Sequence, residues 1–461
     1  MKKFFKKYKK LIGMIGFTAL CLLIWRIGIH IKFPFVNLSE YSVKGIGGFF
    51  GSVKSQSSNA GIFGFLDIFT GGGLSQLSIL SLGISPYITS SIIVEMLQLD
   101  IIPQFKEWAE EGEEGREKLN RWTRYIALII AFIQSLALIL GYRAMGAGYF
   151  KNETDLSAFT YIYMAIVLTA GTAFTLWLAD QITMRGIGNG SSMLIVAGIV
   201  VSLPTMLYQM TNYFLGKPAE LTKASDSFPF YDPYLGHVNW QGIVLYIVML
   251  LVFILIIVGV VWMEGLQRKI PIVYANRPSG AKLVGQQDSN IPIKLNSASV
   301  IPVIFASTLL SVPMTIIQFI QTSGKAVSEW WNMIFNYQQP VGFAIYIVLI
   351  FIFAFFYSFL QIDPDKMADN LKKQNANIPG IKPGEETARK ISTVLFKVTL
   401  LGATYLAVLA SIPVIVTFIF PNLPSSVQIG GTSLMIVVGV ALETVKQIKT
   451  ESQSQDYKGF M

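Results

Sequence analysis

Charge is scarce in this chain: Asp, Glu, Lys and Arg together make up 14% of its 461 residues. A soluble protein of that size needs roughly 25% to clothe its surface, so a string of soluble domains is excluded. Cysteine is nearly absent as well. The single Cys21 rules out a disulfide framework and a thiolate metal site. Two histidines, His30 and His237, leave little for a histidine-based catalytic or metal centre. HExxH, GxSxG and Walker A patterns are missing, so the chain reads as a non-enzyme without a cofactor. The GIGNG run at 186–190 superficially looks like a phosphate loop. It follows an apolar run rather than a strand, and reads as a tight turn.

What is abundant is apolar sequence, at 52% of residues, arranged in runs of about 20, the length that crosses a ~30 Å hydrocarbon core. Ten such spans are predicted, at about 11–30, 76–98, 122–142, 158–179, 191–211, 241–263, 298–320, 341–361, 392–416 and 430–447. The fold class is therefore an all-α polytopic membrane protein. Six lysines precede the first run in MKKFFKKYKK, which is expected to be a retained first helix rather than a cleaved leader. Lys and Arg then set the orientation. With the N-terminus inside, the tails and the loops after spans 2, 4, 6 and 8 carry 25 of them, counting Lys446 with the C-terminal tail, and the opposite face 8. Arg26, Arg124 and Lys397 fall inside spans near their ends, where long side chains snorkel. Both termini are expected in the cytoplasm.

Part of the net charge of +9 is this topology signal, yet two cytoplasmic loops are larger than topology requires. Residues 264–297 carry Arg268, Lys269, Arg277, Lys282 and Lys294, and residues 362–391 carry six more basic residues with Pro-Gly turns. Two shaped basic loops suit docking to an anionic partner, whether ribosomal RNA or an acidic protein surface. On the opposite side Ile62, Phe63, Phe65, Leu66, Ile68 and Phe69 form an apolar stretch too short to span, ending at Gly71-Gly72-Gly73. It reads either as an interfacial helix or as a re-entrant segment in a central funnel.

The spans contain a weak internal repeat. Pro86–Ser91 in span 2 and Pro302–Ser307 in span 7 both read P-x-I-x-x-S. Span 5 opens Gly190-Ser-Ser-Met-Leu-Ile195-Val, and span 10 opens Gly431-Thr-Ser-Leu-Met-Ile436-Val. Both pairs lie five spans apart, an odd number, so their members run in opposite directions. Two inverted five-helix halves around a central pore follow, residues 1–215 and 216–461. The repeat brings Ile88 opposite Ile304 and Ile195 opposite Ile436. No charge falls at midspan, since Glu95, Asp180, Glu264 and Glu443 sit at span ends. An apolar constriction excludes ions by dewetting. Ile256 on span 6 is expected to face lipid.

The runs FTGGGLSQLSILSLGISPYITSSII (69–93), EEGEEGREKLNRWTRY (110–125), QITMRGIGNG (181–190), IPIKLNSASVIPVIFAS (291–307), DNLKKQNANIPGIKPGEETA (369–388) and GGTSLMIVVGVALE (430–443) resemble the SecY family of protein-conducting channels. The likeness runs from about residue 11 to the C-terminus. It implies an hourglass pore ringed by Ile84, Ile88, Ile195, Ile304 and Ile436, with Ser191 at the rim where the family has an aliphatic. It also implies a plug at about 62–70, and a lateral gate between spans 2/3 and 7/8 lined by Ser90, Ser91, Gln134, Ser307 and Thr308. Motor or ribosome docking would fall on Arg268, Lys269, Lys282 and Lys382. Two positions depart from the family pattern. Lys382 replaces an arginine, losing the bidentate fork, and Ala281-Lys282 replaces a pair of arginines.

The resemblance implies a subunit that passes unfolded preproteins across the cytoplasmic membrane and releases transmembrane segments into membrane lipid. Its implied partners are SecE-type and SecG-type membrane subunits, the SecA motor ATPase, ribosomes, signal sequences and nascent polypeptides. An accessory paralogue with few substrates is one competing reading. An ion-coupled secondary transporter is another, sharing the length, helix count and inverted repeat.

Overall fold

The structure is a computed structural model, and it describes residues 9–35, 67, 70–74, 77–98, 102–144, 158–215, 231–232, 237–238, 240–274, 288–296, 300–322, 328–336, 339–419 and 425–458. In chain order the helices are α1 (Lys9–Ile29), α2 (Ser85–Leu97), α3 (Pro103–Glu110), α4 (Glu113–Ala144), α5 (Ala158–Arg185), α6 (Gly190–Leu215) and α7 (Trp240–Gly265). They continue with α8 (Ile301–Thr322), α9 (Glu329–Phe335), α10 (Pro340–Gln361), α11 (Pro364–Lys373), α12 (Glu385–Ile419) and α13 (Ser425–Lys458). Ten of these, all but α3, α9 and α11, coincide with the ten predicted spans. Among the described residues α1, α4, α5, α6, α7, α10 and α12 are long and apolar enough to cross a membrane by length and composition.

Span 2 is shorter than the sequence suggests. Helix α2 begins at Ser85 rather than near 76, with Pro86 in its first turn, where a missing N–H costs no helical bond. The described residues before it run as turns, with positive φ at Gly71, Gly72, Leu77 and Gly83. This irregular stretch is covered by protein: Leu74, Leu77, Leu80 and Leu82 are buried, as are Ser78 and Ser81. Its backbone pairs with the chain leaving α1, Phe33 N–H donating to Leu77 O at 3.0 Å and Ile79 N–H to Ile31 O at 2.9 Å. Buried pairing of that kind is what non-helical backbone needs at membrane depth.

The repeat-related helices pack against one another, α2 on α8 and α6 on α13. One hydrophobic core joins residues from both halves, among them Trp25, Ile92, Ile199, Phe305, Ile350, Leu406 and Val440. The start of α1 meets the C-terminal part of α13. Lys10 of α1 forms an ion pair with Glu451 of α13 at 2.8 Å. Between them sits the 186–189 turn, where Ile187 N–H donates to Thr18 Oγ1 at 3.0 Å and Gly188 N–H to Gln447 Oε1 at 2.7 Å.

The two large basic loops, separate in sequence, form one body. Strands β3 (Gln267–Tyr274) and β4 (Asp288–Lys294) make a hairpin, and β5 (Ala376–Asn377) from the second loop adds to the β3 edge. Val273 pairs with Asn377 and Tyr274 with Ala376. A second short hairpin pairs β1 (Tyr231–Asp232) with β2 (His237–Val238). Beneath the three-stranded sheet Ile270, Ile272 and Ile293 pack with Leu371, Ile378, Ile391 and Leu395, tying both loops to the start of α12. The hairpin base is closed where Asn296 Nδ2 donates to Glu264 Oε1 at 3.3 Å, both residues buried.

Candidate pore and lateral seam

The five ring isoleucines come from four helices. Ile84 and Ile88 sit at and just after the start of α2, Ile195 in the second turn of α6, Ile304 in the first turn of α8 and Ile436 in α13. All five are buried, from 1% exposed at Ile436 to 8% at Ile88 and Ile304, and all belong to the same core. That core also takes in many other residues of α1, α6, α7, α10 and α12. Ser191, at the rim, turns its hydroxyl to Asn189 Oδ1 at 2.6 Å, in the turn that leads into α6.

Ile256 departs from expectation. It is 1% exposed and part of the core, whereas its neighbours Ile254 and Leu255 are 56% and 68% exposed. Helix α7 is apolar all round, so no amphipathic pattern marks its lipid face.

The seam between the halves runs where α2 and α4 pack against α8, which is backed by α10 of its own half. Its expected polar residues do not bond across it. Ser90 donates to Tyr87 O at 2.8 Å, and Ser307 and Thr308 each donate to Ile304 O at 2.8 Å, all within their own helices. Gln134 is half-buried in α4. Ser91 donates to Glu95 Oε1 at 3.3 Å, one turn along.

The cross-seam bond is one the sequence reading did not assign. Tyr357 of α10 donates its hydroxyl to the Glu95 carboxylate of α2. Its ring is held edge-on to Phe305 of α8, with centroids 5.0 Å apart, and Phe305 also meets Phe353 at 5.8 Å. Three helices of the seam thus meet at one aromatic cluster capped by a carboxylate. The signal available in the sequence is a lone acid in an otherwise apolar span.

The plug residues Ile62, Phe63, Phe65, Leu66, Ile68 and Phe69 lie outside the described residues. The glycine run after them is anchored, since Arg26 of α1 donates to Gly71 O at 2.9 Å. Gly71 has φ +65°, and a Cβ there would come within 3.0 Å of Trp25 and 3.2 Å of Gly198 Cα. Only glycine suits that conformation in that space. Of the docking residues, Arg268 and Lys269 are exposed on β3, Lys269 on the face opposite Ile270 and Ile272. Lys382 is exposed in the turn before α12, its carbonyl accepting from Thr387 Oγ1 at 2.9 Å. Ala281 and Lys282 lie outside the described residues.

Three comparisons bear on this arrangement. The SecY family model matches residues 78–445. Proteins called protein translocase subunit SecY from Bacillus licheniformis and Bacillus subtilis are each 40% identical, covering 99% of this chain and 98% of theirs. One from Staphylococcus epidermidis is 42% identical, covering 98% and 97%. Among solved structures, one described as a protein conducting channel aligns with TM-score 0.60 at 18% identity, over 97% of this chain and 94% of its own. Sec61 in a canine ribosome-channel complex aligns with TM-score 0.55 at 16% identity, over 97% and 94%. The matched helices, the isoleucine core shared by both halves and the seam are thus found in a chain that belongs to the SecY family.

Proposed function

We propose that this chain is the pore-forming subunit of a Sec translocon, a channel rather than an enzyme. It passes unfolded preproteins across the cytoplasmic membrane and releases apolar segments sideways into lipid. The observation that supports this reading is that Ile84, Ile88, Ile195, Ile304 and Ile436, drawn from both halves, are all buried in the one hydrophobic core that joins those halves. A ring of aliphatic side chains imposes a desolvation cost of several kcal/mol or more on a passing ion without holding any charge of its own. Isoleucine is stiff at χ1 and offers no hydrogen bond to detain a moving polypeptide. The apolar segment 62–70 would serve as the plug that the family resemblance implies, and the glycine run that follows it is held where Arg26 donates to Gly71 O.

Sideways release requires the seam to part between α2/α4 and α8/α10. Most of its polar side chains bond within their own helices, so few bonds must break and the Glu95–Tyr357 contact is the principal one. Both termini and the joined basic loops lie in the cytoplasm, as supported by the 25-to-8 distribution of Lys and Arg. There the sheet bearing Arg268 and Lys269, the 275–287 loop bearing Lys282, and the Lys382 turn form the docking face for the SecA motor and the ribosome. SecE-type and SecG-type subunits complete the complex.

Reconstitution tests this reading. Proteoliposomes containing the chain with a SecE-type subunit should import a preprotein only when SecA and ATP are added. Import without the motor, or a tightly bound small solute co-purifying in place of the small subunits, would contradict it.

A further inference from the structure

On the face that carries the basic loops, a cavity of about 820 Å³ opens between the end of α10, the first turn of α11 and the first three turns of α12. Its walls include Phe359, Asp365, Glu385, Arg389, Phe396 and Lys397. Residues 385, 389, 396 and 397 follow one another at helical spacing, so they form one stripe of α12. The cavity straddles a boundary. Toward the C-terminus α12 exposes Phe396, Leu400, Leu401 and Val408, from 44% to 61%, the outward surface of a lipid-facing helix. Toward the N-terminus its exposed residues are Arg389, Lys390 and acids.

Lys397 lies inside the apolar strip, two turns beyond Arg389. Side chains on a helix lean toward its N-terminus, so Lys397 reaches back toward Arg389 and the cavity. Among the described residues neither cation is paired with a carboxylate. Two uncompensated cations at the edge of the hydrocarbon call for an anion at that depth. Asp365 and Glu385, at the outer rim, disfavour a free multivalent anion but accept hydrogen bonds from an ammonium or hydroxyl group.

We infer that this cavity seats the headgroup of a membrane phospholipid. The phosphodiester lies between Arg389 and Lys397, the headgroup's donors turn to Asp365 and Glu385, and the acyl chains run along Phe396 and Leu400. The inference requires only that α12 crosses a membrane and is independent of how the pore works.

Native mass spectrometry of the detergent-purified complex tests it, with phosphatidylglycerol or phosphatidylethanolamine added. The wild-type complex should retain one lipid strongly. An Arg389→Gln/Lys397→Gln variant should hold it about thirtyfold more weakly, as expected for two basic contacts near a lipid surface. Arg389→Lys/Lys397→Arg should keep it, and inorganic phosphate should not displace it. Displacement by phosphate, or equal retention by the Gln variant, overturns the proposal. Should the Gln variant fail to assemble, a photoreactive benzoylphenylalanine at position 396 decides in membranes. Adducts to lipid support the site, while an adduct to a protein segment would mean that a partner chain fills the cavity.

Discussion

The Tyr357 hydroxyl donates to the Glu95 carboxylate across the seam, joining helices 262 positions apart in sequence. Tyr357 is buried, and its ring is fixed by Phe305, so the bond locks α2, α8 and α10 together at one point.

Removing that bond should loosen the closed state. Polar bonds within membranes average about 0.6 kcal/mol and reach about 1.7, so Tyr357→Phe should raise the open fraction roughly three- to eighteenfold. Glu95→Gln, which keeps an acceptor, should have a smaller effect. Measured as insertion of a weakly hydrophobic signal sequence into reconstituted complexes, the rate should rise in that order. Unchanged or slower insertion by Tyr357→Phe would show that the bond does not restrain the gate.

The ion pair between Lys10 and Glu451 holds the start of α1 beside the C-terminal part of α13. In a Cys21→Ala background, cysteines at Asn375 and Glu451 should both react with an impermeant thiol reagent from the cytoplasmic side only. Labelling of either from outside intact cells would invert or break the topology.

Because β5 joins β3, the two basic loops should act as one docking face. Charge reversal at Arg268 or Lys382 should slow motor-driven export while the complex still assembles. Normal export by both variants would reduce these charges to topology signals.

Tight turns between spans set a different limit. A Cβ at Gly190, where α6 begins, would lie 1.8 Å from Ala179 O, whereas one at Gly265 meets nothing within 4 Å. Forcing the two backbones apart costs about 1–3 kcal/mol or more, so Gly190→Ala should lower the melting temperature of the purified complex and Gly265→Ala should not. Equal stability of the two would mean that the α5–α6 turn yields easily.

The helical spans were legible because the length and apolar character of a run are local signals. The seam was less so. Serine and threonine at 90, 307 and 308 suggested cross-helix adhesion, but each hydroxyl reaches a carbonyl three or four residues back in its own helix, a bond always within range. Glu95 finds its partner through tertiary packing, which no spacing reveals. The same holds for Val273 and Asn377, on loops that nothing in the sequence connects. Ile256 was misoriented because a helix apolar on every side gives no sign of which side is covered.

The central claim is that the isoleucine cluster seals a pore, and conductance measures it most directly. Complexes carrying Ile88→Gly with Ile304→Gly should be compared in planar bilayers with wild type and with Ile254→Gly, an exposed position on α7. The account predicts a raised resting ion conductance for the double variant, larger still when residues 62–70 are also deleted, and none for Ile254→Gly. A folded double variant that conducts no more than wild type would make these isoleucines ordinary packing residues and put the pore elsewhere.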